Sequence, residues 1–181
     1  MPQALFLNMP HLNVEIKAFC SNAEFIRKWL LEHKAEFRGT DHQTDTYFNT
    51  IQGRLKLREG NIENNLIFYE RENQQGPKHS KFSLVKVNDP TALKEVLIKS
   101  LGVKIIVQKK REIYFIGNVK FHVDEVQGLG SFVEIEAGNL HAAISAERLG
   151  EQCDYYLKEF GIKKEDLVAV SYSDMVMATV E

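Results

Sequence analysis

The chain has 181 residues, 44% of them hydrophobic and 27% charged, and a formal net charge of −2. This is the composition of an ordinary globular protein, and its charge balance argues against a protein built to coat nucleic acid or an anionic membrane. No apolar run approaches the length of a membrane span, and the length suits one domain over 1–181 without a linker.

Met1 to Pro10 is too short and too poor in basic residues for a secretory signal. With a second methionine at Met9, residues 1–10 read as an N-terminal extension. Asn13-Val14-Glu15-Ile16-Lys17-Ala18-Phe19 alternates polar and apolar residues at a period of two, predicting a strand over about 12–20. Ser21-Asn22-Ala23-Glu24 opens a helix to about His33, with Ser21 the capping candidate. Phe25, Trp29 and Leu30 form its apolar stripe, and Trp29 and Phe115 read as core residues.

Residues 35–50 predict a second strand. Asp41, His42 and Asp45, ahead of Thr46 and Tyr47-Phe48, read as solvated polar residues entering it in preference to an acid/base or metal cluster. Gln52-Gly53 turns into Arg54-Leu55-Lys56-Leu57-Arg58-Glu59, and Gly60-Asn61 ends that strand. Leu66 to Glu72 separates Ile67, Tyr69 and Arg71 from Leu66, Phe68 and Glu70. Lys78 to Val87 is a further strand, and Pro90 sits near the start of a helix carrying Leu93, Val96, Leu97 and Leu101 that Gly102 stops. Val103 to Ile116, Val119 to Val126 and Ser131 to Ala137 follow as strands joined by hairpin turns. Helices are predicted over about 141–160 and 173–178.

This order has no regular strand–helix–strand alternation, which argues against a parallel sheet. It predicts an α+β fold: a closed eight-stranded antiparallel β-barrel with helices packed outside on the strands' aliphatic face. The other face then becomes a lumen holding Lys17, Arg54, Lys56, Arg58, Arg71, Lys109 and Arg111 against Glu15, Asp124, Glu134 and Glu136. Seven positive charges against four negative leave an excess of three. Charges withdrawn from water cost several kcal/mol each unless compensated. Such a lumen calls for a polyanion, and its carboxylates for a hard divalent cation that also takes phosphate oxygens. A metal-bound triphosphate meets both demands.

Val14-Glu15-Ile16-Lys17, Leu57-Arg58-Glu59, Lys109-Lys110-Arg111, and Val123-Asp124 through Gly128-Leu129-Gly130-Ser131-Phe132-Val133-Glu134-Ile135-Glu136 together resemble the CYTH superfamily. This triphosphate-tunnel group includes class IV adenylyl cyclases and thiamine triphosphatases, and the resemblance, closest to class IV cyclase-like proteins, covers about residues 12–160. It implies a tunnel that binds a nucleoside or other triphosphate with Mg²⁺ or Mn²⁺. Glu15, Asp124, Glu134 and Glu136 would bear the metal. Lys17, Arg54, Lys56, Arg58, Arg71, Lys78, Lys109 and Arg111 would hold phosphate oxygens, with Lys17, Arg58, Lys109 and Arg111 acting on the reacting group.

The family's first strand usually reads Glu-x-Glu-x-Lys, and here Asn13 stands at the first acidic place. An amide oxygen can ligate a hard cation but brings no charge. Three activities are therefore open: a cyclase making cyclic AMP and pyrophosphate from ATP, a triphosphatase acting on thiamine triphosphate or inorganic triphosphate, and a non-catalytic nucleotide or polyphosphate binder. His122 alternates with Asp124 and is a candidate to line the tunnel. No nucleophile–base pair suggests covalent hydrolysis. Cys20 and Cys153, far apart and without metal-site spacing, read as reduced thiols of a cytoplasmic protein. The expected partner is the triphosphate, with no nucleic acid and no membrane, and a homodimer is admitted.

Overall fold

The structure, a computed structural model, describes residues 12–70, 73, 78–139 and 144–180, with backbone alone at 78–82. Eight strands and four α-helices follow the predicted order closely: β1 (Asn13–Phe19), α1 (Ala23–Glu32), β2 (Glu36–Phe48), β3 (Arg54–Glu59), β4 (Asn65–Glu70), β5 (Lys78–Lys86), α2 (Pro90–Leu101), β6 (Val103–Ile116), β7 (Val119–Val126), β8 (Gly130–Gly138), α3 (Ala146–Glu159) and α4 (Tyr172–Val180). The expected N-terminal extension, residues 1–10, lies outside the described residues. The α1 cap is Asn22 rather than Ser21, its side-chain oxygen accepting from Phe25 N at 3.1 Å.

All neighbouring strands are antiparallel, in the order β1-β5-β4-β3-β2-β6-β7-β8, and β1 pairs with both β8 and β5. The two ladders on β1 differ in length. Seven register pairs join β1 to β8, whereas three, Asn13–Glu15 against 78–80, join it to β5 among the described residues. Beyond Glu15 a different segment arrives: Ala18 bridges Leu167, and Val168 N donates to Lys17 O at 2.8 Å. The expectation of a closed barrel is corrected to this extent. The eight strands form a strongly curled sheet whose seam beside the second half of β1 is occupied by chain leading into α4.

The outer face carries the main core. Val14, Ile16, Ala18, Phe121, Val123, Val133 and Ile135 meet Ile26, Trp29 and Leu30 of α1 and Leu149, Cys153 and Tyr156 of α3. Phe121, Leu30, Leu149 and Ile135 are fully buried, and each side chain of this size contributes about 1.5–3 kcal/mol when withdrawn from water. This is the aliphatic half of each strand's alternation, so the polar half must face inward. Phe115 is not part of this core. It is half-buried, with the Arg38 guanidinium 5.6 Å and Lys120 Nζ 5.8 Å from its ring.

A second apolar cluster lies across one end of the inner face, where Tyr47, Tyr69, Val107, Val126 and Phe132 meet Val168 and Tyr172. Tyr172 packs edge-on against Phe132, with ring centroids 5.0 Å apart. The contacts of 167–168 with β1 bring α4 to this position, so the last helix stoppers the curled sheet. By contrast, α2 has no buried residue.

Candidate functional site

Above the apolar stopper the inner face becomes a cavity of about 880 Å³, solvent at its mouth included. Six cations line it, Lys17, Lys56, Arg58, Lys109, Arg111 and Lys120, together with the carboxylates Glu15, Glu63, Glu134 and Glu136. These residues come from β1, β3, β6, β7, β8 and the β3–β4 turn, each strand contributing alternate positions because successive side chains point to opposite faces.

Two buried aspartates stand behind the cations. Asp45 of β2 is 1% exposed. It takes Arg58 in a two-pronged pair, Nε to Oδ1 at 2.8 Å and Nη2 to Oδ2 at 2.9 Å, and also accepts from Lys109 Nζ at 2.7 Å and Lys56 Nζ at 3.1 Å. Asp124 of β7 accepts a second two-pronged pair from Arg111 and the Tyr172 hydroxyl at 2.8 Å. Neither aspartate is among the residues lining the cavity. They hold the guanidinium groups from the rear, an arrangement that fixes the planar forks without competing for what enters in front.

Glu134 lies between the two halves. It pairs with Arg111 Nη2 at 2.8 Å, Lys17 Nζ at 3.2 Å and His122 Nδ1 at 3.2 Å. A carboxylate only accepts, so His122 donates from Nδ1, and its buried Nε2 meets no partner among the described residues. Glu63 bridges Arg58 Nη1 and Lys120 Nζ, each at 2.9 Å. Its position follows from Asp41, whose carboxylate accepts the turn amides of Ile62 at 2.9 Å and Glu63 at 3.0 Å. Gly60 is required there, because a Cβ would come within 2.5 Å of Asp41 Oδ1.

The electrostatics follow from one acid shared among several bases. Burial pushes the Asp45 carboxyl up, but Arg58, Lys109 and Lys56 together hold it well below the usual carboxylate range. Burial and the neighbouring Arg58, Arg111 and Lys56 outweigh Asp45 at Lys109, and lower its ammonium to about 7. Burial likewise lowers His122, helped by Arg111 and Lys120, to about 3, so the imidazole is neutral. Arg111 goes the other way. Burial disfavours its charge, but Asp124 and Glu134 hold it well above its ordinary value.

The structure brings together Lys17, Lys56, Arg58, Lys109 and Arg111 of the phosphate-binding set inferred from sequence. Arg54 stands apart, bonded to Asp174 at 3.0 Å and Asn73 at 3.1 Å beside a smaller cavity on the far side of Tyr47. It shares a face with Lys56 and Arg58 but lies at the level of the stopper. Arg71 and the Lys78 side chain lie outside what is described. The expected excess of three positive charges is also corrected. Asp45, Glu63 and Lys120 join the network, so six cations meet six carboxylates among the described residues, and two positive charges remain in excess only at the cavity wall itself.

The four acids expected to bear metal separate. Among the described residues no three His, Cys, Asp or Glu side chains form a metal-holding group. Asp124 is turned to Arg111 and Tyr172, and so belongs to the cation-holding layer. Glu15 and Glu136 are direct register partners on β1 and β8, and both line the cavity. A hard divalent ion uses one or two protein carboxylates, with phosphate oxygens and water completing its shell. Glu15 and Glu136 can supply that pair, whereas Glu134 is already paired with Arg111, Lys17 and His122. Asn13 donates its amide to Glu136, relieving the charge that a glutamate there would add.

Sequence reasoning placed Asp41 and Asp45 in solvent. The pleat separates them from His42, which is exposed, and turns both inward. The alternation Asp41, Gln43, Asp45, Tyr47 was the available signal, as was Lys120 two residues before His122. Glu63 and Tyr172 had none, since a turn and a distant helix deliver them.

A family model described as the CYTH domain matches residues 11–172. A Methanocaldococcus jannaschii protein named "putative adenylate cyclase" is 26% identical, the match covering 91% of this chain and 98% of that protein. A conserved hypothetical protein from Pyrococcus furiosus has a structure superposing with TM-score 0.76 at 26% identity, over 90% of this chain and 98% of that one. A Hippeastrum protein named "putative adenylyl cyclase", and described with a dominant triphosphatase activity, shares the fold at TM-score 0.63 and 16% identity, over 94% and 95% of the two chains. With a cavity of this construction and a match spanning nearly its whole length, the chain belongs to the CYTH domain family.

Proposed function

We propose that the chain binds a nucleoside triphosphate with Mg²⁺ or Mn²⁺ in this cavity and converts ATP to cyclic AMP and pyrophosphate, as a class IV adenylyl cyclase-like enzyme. The observation that carries this reading is the double layer: Arg58, Lys109 and Arg111 face the cavity while Asp45 and Asp124 hold them from behind. Cations fixed in advance stabilise charge as it develops on a transferring phosphoryl group without reorganising. In this reading the curled sheet acts as a tunnel walled around the bound triphosphate.

Lys17, Arg58, Lys109 and Arg111 hold the phosphate chain and neutralise the pyrophosphate as it leaves. Lys56 and Lys120 attract the anion at the edges of the cradle. Glu15 and Glu136 hold the cation, which when bound polarises phosphate oxygens and shields their charge. The apolar stopper of Phe132 and Tyr172 excludes water from the inner end, favouring attack by a substrate hydroxyl held in place over attack by solvent.

Hydrolysis of the terminal phosphoryl group would use the same cradle, and the triphosphatase activity described for the Hippeastrum protein supports it as the second reading. A product assay separates the two. ATP, thiamine triphosphate and inorganic triphosphate are incubated with Mg²⁺ or Mn²⁺, and cyclic nucleotide with pyrophosphate is resolved from orthophosphate. Cyclic AMP as the main product supports the cyclase. Orthophosphate alone replaces it with the triphosphatase, and no product from any substrate removes both.

A further inference from the structure

Among the described residues β1, β3, β6, β7 and β8 each bring at least one charged side chain to the cavity wall, whereas β4 and β5 bring Asn65, Ile67, Tyr69 and Leu84. Ile67 and Leu84 are register partners, so they form one continuous apolar patch across the two strands. Asn65 follows on the same face of β4, directly opposite Arg58 on β3. The residue is 9% exposed and lines the cavity, yet its side-chain amide meets no hydrogen-bond partner among the described residues. An amide in the cavity wall whose acceptor and donors the protein leaves unused is open to a ligand that supplies the matching groups.

We infer that Asn65, with Ile67 and Leu84, forms a base-reading subsite that takes the 6-aminopurine of a nucleoside triphosphate. The inference rests on the triphosphate cradle proposed above and names what hangs from the phosphates. A carboxamide presents one acceptor beside one donor, and the 6-aminopurine edge presents the complementary donor and acceptor side by side. A 6-oxopurine offers two acceptors on that edge and leaves the amide oxygen opposed to one of them. The single apolar patch of Ile67 and Leu84 suits one face of the ring. The spacing is right as well, because Asn65 and Ile67 are register partners of Arg58 and Lys56, one strand away at about 4.8 Å. Phosphates on β1, β3 and β6 and a base on β4 and β5 thus lie within the length of one nucleotide.

The test is calorimetric binding, with Mg²⁺ present, of non-cleavable methylene-bridged analogues of ATP, GTP and inorganic triphosphate. The wild-type chain is expected to hold the ATP analogue about ten- to a hundredfold tighter than the other two. Asn65→Ala should erase that lead while leaving the affinity for the inorganic analogue unchanged. Leu84→Ser, at a half-exposed position, should weaken the ATP analogue alone. Equal wild-type affinity for all three overturns the subsite and leaves the phosphate cradle standing. So does an Asn65→Ala loss shared by the inorganic analogue. A wild-type chain that binds none of the three removes the cradle and the subsite together.

Discussion

Replacing Asp45 by asparagine tests whether the rear layer holds the cradle together. The substitution keeps the shape and removes one negative charge shared by Arg58, Lys109 and Lys56, all within 3.1 Å. Removing one partner of a buried ion pair costs about 3–5 kcal/mol, because the other is left uncompensated. Three cations are stranded here, but the cost is capped, since Lys109 already sits near 7 and can shed its proton. A loss of about 3–5 kcal/mol in a chain of this length lowers Tm by about 6–20 °C. A bound polyanion replaces the missing charge, so saturating inorganic triphosphate should raise Tm of Asp45→Asn by several degrees more than it raises wild type. Thermal unfolding followed by circular dichroism, with and without ligand, reads both effects. A Tm within about 2 °C of wild type, or equal ligand-induced rises, would refute the reasoning.

The Lys109 ammonium, lowered to about 7, makes binding depend on pH. The protonated form holds phosphate, so affinity for inorganic triphosphate should fall as pH rises above neutral, and Lys109→Arg should flatten that fall between pH 7.5 and 9; parallel curves would count against it. For stability the sign is opposite. The unfolded chain keeps this proton up to about 10.5 while the folded chain gives it up near 7, so the contribution of Lys109 to unfolding free energy increases across that window. Arg111→Ala should weaken ATP, thiamine triphosphate and inorganic triphosphate alike, by tenfold or more in equilibrium binding; unchanged affinity would mean that this guanidinium does not touch phosphate. Asn13→Glu removes the donor to Glu136 and adds charge beside Glu15. Its Tm should drop without metal, rise with Mg²⁺ by more than wild type does, and be accompanied by faster Mg²⁺-dependent turnover. An equal response to Mg²⁺ in both proteins would show that no cation lies there.

What the sequence by itself determined is which side of each strand meets water-excluding neighbours. Glu15 and Lys17, Lys56 and Arg58, Lys109 and Arg111, and Glu134 and Glu136 were legible as an inward set because the pleat has a period of two and their aliphatic neighbours had to cover helices. Helix positions were legible for the same local reason, through Pro90, Gly102 and the stripe at Trp29. Only the tertiary structure decided height and partner. Arg54 reads like Lys56 yet ends beside Asp174, and Asp124 reads like Glu134 yet serves Arg111 instead of the cavity. Asp45 and Lys109 lie 64 positions apart in the chain and meet at 2.7 Å. Alternation along a strand is set by neighbouring bonds, whereas which acid faces which base depends on the register between strands remote in sequence, and no local pattern carries that.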